Sequence, residues 1–352
     1  MSTVYLHVGA MKSGTTYLQK VLQHNRDQLE HRGMLFPGLR WSDQVTAAED
    51  LIGRRPDGKP ASPGAWEALV DEVMAHEGPA IISMETLSSA RKAQARRAAQ
   101  SFAPRRVRVI VTARDVGRVI PAQWQEWVQN GGTVSFSTFL RTSSAVRVSV
   151  APVARRLWWS QNIARILRTW QPYVDASDLV LVTVPPDGSD RSLLWRRFCE
   201  AVELDDADAY DLQVASNESL GAVSAELMRR VNRAAKRRHE PWQARSRVKH
   251  RLGKRVLASR KSREPKLVIP DRYRDFAVNT SQRMVGDIEK VGPQVVGDLD
   301  ELRVTAAALP RADGGVSSLS DPERLGVEQL LEAALDGLLG LSTDPVATSA
   351  DG

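Results

Sequence analysis

Four short stretches of the chain are almost unbroken apolar runs rich in β-branched residues: Val4 to Val8, Ala80 to Met84, Val107 to Thr112 and Leu179 to Val184. Runs of this length that do not alternate with polar residues suit strands buried on both faces, as in a parallel sheet covered by helices. Between them the apolar positions recur at helical spacing. The pattern predicts helices over Thr15 to Arg32, Trp41 to Leu51, Ala65 to His76, Ile120 to Gln129, Val153 to Trp170 and Leu193 to Val202. Strands alternating with helices predict a three-layer α/β/α fold around a parallel sheet of four or five strands. Met34 to Phe36 is the candidate for an added edge strand.

From Gly221 onward the pattern is helical without a strong strand. Val223 to Arg238, Ala244 to Arg260 and Asp271 to Glu289 are the expected helices, separated by Pro241, Pro265 and Pro270. The Pro/Gly/Ser-rich stretch Leu309 to Ser320 reads as a linker. Asp321 and Pro322 then supply the N-cap and first-turn proline of a last helix ending near Leu341. Its stripe of Val327, Leu330, Leu331, Ala334, Leu338 and Leu341 is expected to pack on the body of the protein. The chain therefore reads as an α/β domain over 1–308 with a helical, basic C-terminal part from about 221, a linker over 309–320, and a C-terminal helix and tail over 321–352.

With 352 residues and 42% hydrophobic content the chain can bury one large core. No apolar run approaches the roughly eighteen residues of a membrane span, and no basic-then-apolar leader precedes the first strand, so a cytoplasmic protein is expected. Cys199 alone excludes an intrachain disulfide, and the six histidines show no metal-ligand spacing, so no metal is expected. Charge changes the picture more. The formal net charge is +7, yet 229–266 holds 16 Lys and Arg against two acids, Glu240 and Glu264, a local +14 that leaves −7 for the remainder. Such a face suits phosphate, sulfate, an acidic substrate or nucleic acid; a solvated helical surface reads the same way.

The chemistry-bearing segment is Leu6 to Gln19, LHVGAMKSGTTYLQ, a glycine-containing turn between the first strand and the first helix. Backbone N–H groups and the positive end of the helix converge there, an arrangement that suits an anion. Lys12 adds a full charge, Gly14 permits close main-chain approach, and Thr15 and Thr16 offer hydroxyls in the first helical turn. A nucleoside-triphosphatase loop would place lysine directly after the second glycine; here that position is Thr15 and the lysine stands ahead of Gly14. No strand ends in a clear metal-holding aspartate, which disfavours a magnesium-dependent kinase or ATPase.

These residues resemble the loop of the sulfotransferases that use 3'-phosphoadenylyl sulfate (PAPS), whose P-loop-type segment has the form P-K-[ST]-G-T-T at the end of the first strand. Met11 stands where that family commonly has proline. The resemblance implies that Lys12, Ser13, Gly14, Thr15 and Thr16 bind the 5'-phosphosulfate, with Lys12 near the bridging oxygen of the leaving group. Arg114, Asp115 and Arg118, after the third strand, resemble the family's 3'-phosphate motif. Its serine, eight residues after the arginine, is Ala122 here, so Arg114 and Arg118 would carry more of that contact. The family's C-terminal Arg-Lys-Gly motif has no clean counterpart, His250 to Arg255 being a poor substitute. The likeness to bacterial sulfotransferase-like proteins covers most of 3–302 and includes Pro121 to Glu126, Leu194 to Phe198, Asn217 to Gly221 and Val296 to Leu299.

Sulfuryl transfer to a hydroxyl or amine needs a proton acceptor. Glu85, at the end of the second strand on the loop's edge of the sheet, is the first candidate, its competing role being to cap a helix over Thr86 to Arg97. His7 is the second, against simple packing. The resemblance thus implies a bacterial-type sulfotransferase that takes PAPS as co-substrate and a small-molecule or glycan as acceptor, without a metal. A nucleotide kinase, a nucleic-acid-binding protein working through 229–266, and an inactive ligand sensor are the alternatives.

Overall fold

A computed structural model describes residues 2–53, 61–145, 152–214, 220–241, 248–313 and 317–342. The four apolar runs are strands: β1 is Thr3–His7, β2 Ala80–Ser83, β3 Arg106–Ala113 and β4 Leu179–Thr183, buried throughout except Arg106. Three shorter strands follow: β5 is Lys266–Leu267, β6 Gln294–Val296 and β7 Ser318–Leu319. The main sheet is parallel in the order β2-β1-β3-β4-β6, and β5 pairs with β7. This is the expected α/β fold, with one correction. Met34 to Phe36 adds no strand, only a bridge from Leu35 to Ala80. The fifth strand of the sheet is β6, within a region whose pattern read as wholly helical.

Alternation along the strands sorts the core into two faces. Val4, Leu6, Ile82, Val109, Val111 and Leu181 join one apolar cluster with residues of the helices Trp41–Ile52, Ala65–Ala75, Lys92–Gln100 and Ile163–Trp170. Tyr5, Ile81, Ile110, Val180 and Val182 join another with α1, Thr15–His24, and the helix Leu193–Ala201. A period of two on every strand, with both faces covered, is the reason these runs carry so few polar residues.

Two expected helices are broken by asparagines. Thr15 to Arg32 stops at Asn25, whose carboxamide donates to the carbonyls of Val21 and Asp211, both at 2.8 Å, before Arg26–His31 begins. Val153 to Trp170 divides at Asn162, whose side chain accepts from the Arg165 amide at 2.9 Å and caps Ile163–Trp170. In both cases a short polar side chain competes with the helical backbone.

The chain divides into two compact units. The first comprises Met1–Asp115, Trp158–Ser216 and Asn279–Arg303 and carries the whole main sheet; the second comprises Val116–Leu157, Asn217–Val278 and Val304–Gly352. In the second unit the final helix, Val327–Ser342, packs on its neighbours through only part of the expected stripe. Leu330 and Ala333 pack with Val223, whereas Val327, Leu331 and Leu338 are exposed. Further along, the inward face is made by glycines: a Cβ on Gly337 would lie 2.8 Å from Leu252, and one on Gly340 2.6 Å from Val256. Asp336 on that helix also pairs with Arg260. Ser318–Leu319 turns part of the expected linker into strand, and 314–316 lie outside the described residues. No helix among the described residues is long and apolar enough to cross a membrane.

Candidate functional site

The strand order gives the sheet a topological switch. From β1 the chain moves to β2 on one side and later to β3 on the other, so the segments leaving the carboxyl ends of β1 and β3 part company there. Crevices at such points are the usual ligand sites of open α/β sheets. The loop after β1 keeps hold of β3 as it leaves: the Val8 amide donates to the Ile110 carbonyl at 2.9 Å and the Ala10 amide to that of Thr112 at 3.1 Å.

Two left-handed residues then turn the main chain. Lys12 has φ 65° and Gly14 φ 81°. For a lysine that conformation costs on the order of 1 kcal/mol, a strain that persists only where the surroundings impose it. At Gly14 the φ favours glycine and the space requires it, since a Cβ would lie 2.5 Å from Leu194 Cδ2. Gly14 is also the N-cap of α1. The first intrahelical donor is the Tyr17 amide, 3.0 Å from the Gly14 carbonyl, so the amides of Thr15 and Thr16 have no intrahelical acceptor at the positive end of the helix.

The loop's side chains divide by direction. Ser13 is fully buried; its hydroxyl donates to the Ala10 carbonyl at 2.5 Å and lies 2.6 Å from Thr112 Oγ1. Thr15 is 2% exposed and its hydroxyl donates to Glu85 Oε2. Lys12 and Thr16 are half-buried. The Gln161 carboxamide clamps the loop from the first unit's next segment, donating to the Met11 carbonyl at 2.7 Å. An anion in this loop would therefore meet main-chain amides, Lys12 and Thr16, while the hydroxyls of Ser13 and Thr15 hold the loop.

Glu85 comes to the loop as its place on the sheet suggests. It opens a short 3-10 turn, Glu85–Ser89, and the α-helix starts only at Lys92, so the expected helix over Thr86 to Arg97 begins later and its cap is not Glu85. The turn is fastened by Arg165, whose Nη2 donates to the Ser88 carbonyl at 2.5 Å and whose guanidinium lies 4.2 Å from the Trp159 ring centroid. Burial lowers the Arg165 pKa to about 10.

Arg114 leaves β3 at the same edge and reaches Asp187 Oδ1 at 3.6 Å; Asp187 follows β4 and is 65% exposed. Lys12 to Thr16, Glu85 and Arg114 thus belong to the first unit. Arg118 and Ala122 stand on the helix Val116–Gln129 of the second. His250 to Arg255 falls in the π-helical stretch Val248–Val256, also in the second unit, and residues 217–219 of the Asn217 to Gly221 signature lie outside the described residues. Part of the basic segment is neutralised locally: Arg229 and Arg230 bind the buried Glu226 at 2.6 and 2.8 Å, and Arg260 binds Glu264 at 3.1 Å. Among the described residues no group of three His, Cys, Asp or Glu side chains converges as a metal site.

Sequence reasoning missed a polar rung under the loop. His7 is completely buried, with Nδ1 2.7 Å from Ser83 Oγ and Nε2 3.2 Å from Thr112 Oγ1. Burial lowers its pKa to about 3, so the ring is neutral. The three residues share the sheet face of Tyr5, Ile81 and Ile110, two positions further along each strand. The signal was present: on three neighbouring strands the same face turns from apolar to polar in its last position. Reading it requires the register that pairs His7 with Ser83.

No family model matches the chain, and no curated protein does. Among solved structures, a sulfotransferase from Alicyclobacillus acidocaldarius aligns at 16% identity and a TM-score of 0.41, covering 69% of this chain and 98% of that one.

Proposed function

We propose that this chain is a sulfotransferase, moving a sulfuryl group from PAPS to a hydroxyl or amine of a small-molecule or glycan acceptor in the cytoplasm. The observation that carries the reading is the loop after β1, where left-handed Lys12 and Gly14 place a lysine ahead of the helix start and Thr15 receives Glu85 from the neighbouring turn. The 5'-phosphosulfate sits on the amides of Gly14, Thr15 and Thr16, with Thr16 and Lys12 beside it. An acceptor oxygen or nitrogen attacks sulfur in line, the bond from sulfur to the bridging phosphate oxygen breaks, and 3'-phosphoadenosine 5'-phosphate leaves. Lys12 meets the negative charge growing on that bridging oxygen. Glu85, within reach of the same loop, takes the acceptor's proton. Arg114 takes the 3'-phosphate in exchange for Asp187.

Calorimetric titration with 3'-phosphoadenosine 5'-phosphate tests this. Loss of one charged contact corresponds to about 1.5–3 kcal/mol, so Lys12→Ala is expected to weaken binding roughly 10- to 100-fold. Unchanged affinity in that variant, or a preference of the native chain for ADP that requires magnesium, defeats the proposal.

A further inference from the structure

The contacts beneath the loop have one consistent assignment of protons. The Ala10 carbonyl can only accept, so the hydroxyl proton of Ser13 lies on it, at 2.5 Å. Ser13 Oγ then accepts from the Thr112 hydroxyl at 2.6 Å. With that proton engaged, Thr112 Oγ1 accepts from His7 Nε2–H at 3.2 Å, which leaves Nδ1 bare to accept from the Ser83 hydroxyl at 2.7 Å. The direction runs without a break from Ser83 through the imidazole to the loop. Hydrogen bonds aligned in this way polarise one another, and in a dry interior each is costly to lose. A second observation ties the same groups to the loop: a Cβ on Gly9 would lie 2.7 Å from His7 Nε2 and 2.6 Å from Thr15 Cγ2, so the loop main chain passes directly over the imidazole.

We propose that His7 is a positioning residue for the loop: as an imidazole protonated at Nε2 it directs hydrogen bonds through Thr112 and Ser13 onto the Ala10 carbonyl, and so holds Lys12 and Gly14 in their left-handed conformation. The idea rests on the anion-binding reading of the loop given above. His7 touches no reacting atom and exchanges no proton with substrate. Its function is to fix which way the three hydroxyls point, and a ring of the other tautomer would turn Thr112 away from Ser13.

Two measurements on the whole 352-residue chain decide this. The first titrates 3'-phosphoadenosine 5'-phosphate into Thr112→Val, which keeps the side-chain shape and removes the relay, and into Thr112→Ser, which restores it. The valine variant is expected to bind about tenfold more weakly, and the serine variant within about threefold of the native chain. Thermal unfolding of each shows that the fold persists. The second records histidine side-chain 15N spectra, assigned by comparison with His7→Gln. Native His7 is expected to show the Nε2–H tautomer, unchanged down to pH 5. Native affinity in a less stable Thr112→Val reduces the relay to packing and overturns the proposal, as does an Nδ1–H ring or one that titrates near pH 6.5. A native chain that binds none of the nucleotide defeats the sulfotransferase reading, and the His7 tautomer alone then decides the present one.

Discussion

The segments that leave β1 and β3 emerge from neighbouring strands at one edge of the sheet, yet they are built in opposite ways. The first is fixed by buried and partly buried bonds: Ala10 to β3, Ser13 to Ala10 and Thr112, Met11 to Gln161, Thr15 to Glu85. The second presents Arg114 as a long side chain near Asp187, a carboxylate largely in water. A pair with one partner mostly in water is worth little and is readily exchanged. On the function proposed above, the difference separates two modes of recognition: one end of a nucleotide would meet a preformed main-chain surface, the other a side chain that changes partners.

The largest expected effect tests the buried side of this contrast. With a folded pKa of about 3 against 6.5 for a free histidine, native His7 binds fewer protons than the unfolded chain within that window. Stability from this group is fully present above pH 6.5 and is lost as pH falls toward 3, at about 1.4 kcal/mol per unit. Urea unfolding at pH 6.5 and 4.5 should therefore differ by about 2 kcal/mol more in the native chain than in His7→Gln. Equal slopes would mean that the imidazole is hydrated and the rung absent. Next in size is Gly14→Ala, which meets both a positive φ and Leu194 and should cost about 1–3 kcal/mol in the same assay. A neutral result there would show that the loop yields, which breaks the contrast from its rigid side.

The smallest effects belong to the adaptable side. Arg114→Ala should weaken 3'-phosphoadenosine 5'-phosphate about tenfold while leaving AMP unchanged, because only the former carries the phosphate that replaces Asp187. Asp187→Asn, by removing the competing charge, should shift the same affinity the other way by about two- to threefold. A loss of AMP binding in Arg114→Ala would show that the arginine supports the loop and is not a separate contact.

Much of this architecture could be read from residue pattern, and its failures have physical causes. The strands β1 to β4 announced themselves because burial on both faces leaves no room for polar alternation. β6 did not, since it is three residues long, sits at the sheet's edge and begins with an exposed glutamine; pairing with β4, not its own pattern, makes it a strand. The loop was legible because Lys12, Gly14 and the two threonines are contiguous. The directions of Ser13 and Thr15 were not, because Thr112, on β3, and Glu85, in the turn after β2, decide them. For the last helix the leucines misled in part: Leu330 went inward as expected, but Val327, Leu331 and Leu338 did not, because Ala333, Gly337 and Gly340 permit the closest approach.

The distance along the chain between the loop and the groups that shape it has a consequence for synthesis. The motif is complete once the first few dozen residues have been translated, but Thr112, Gln161 and Leu194 follow roughly 100, 150 and 180 residues later. A nascent chain therefore carries the residues of the loop long before it carries the bonds that hold the loop's shape, which form only once the third strand and the helices beyond it have left the ribosome.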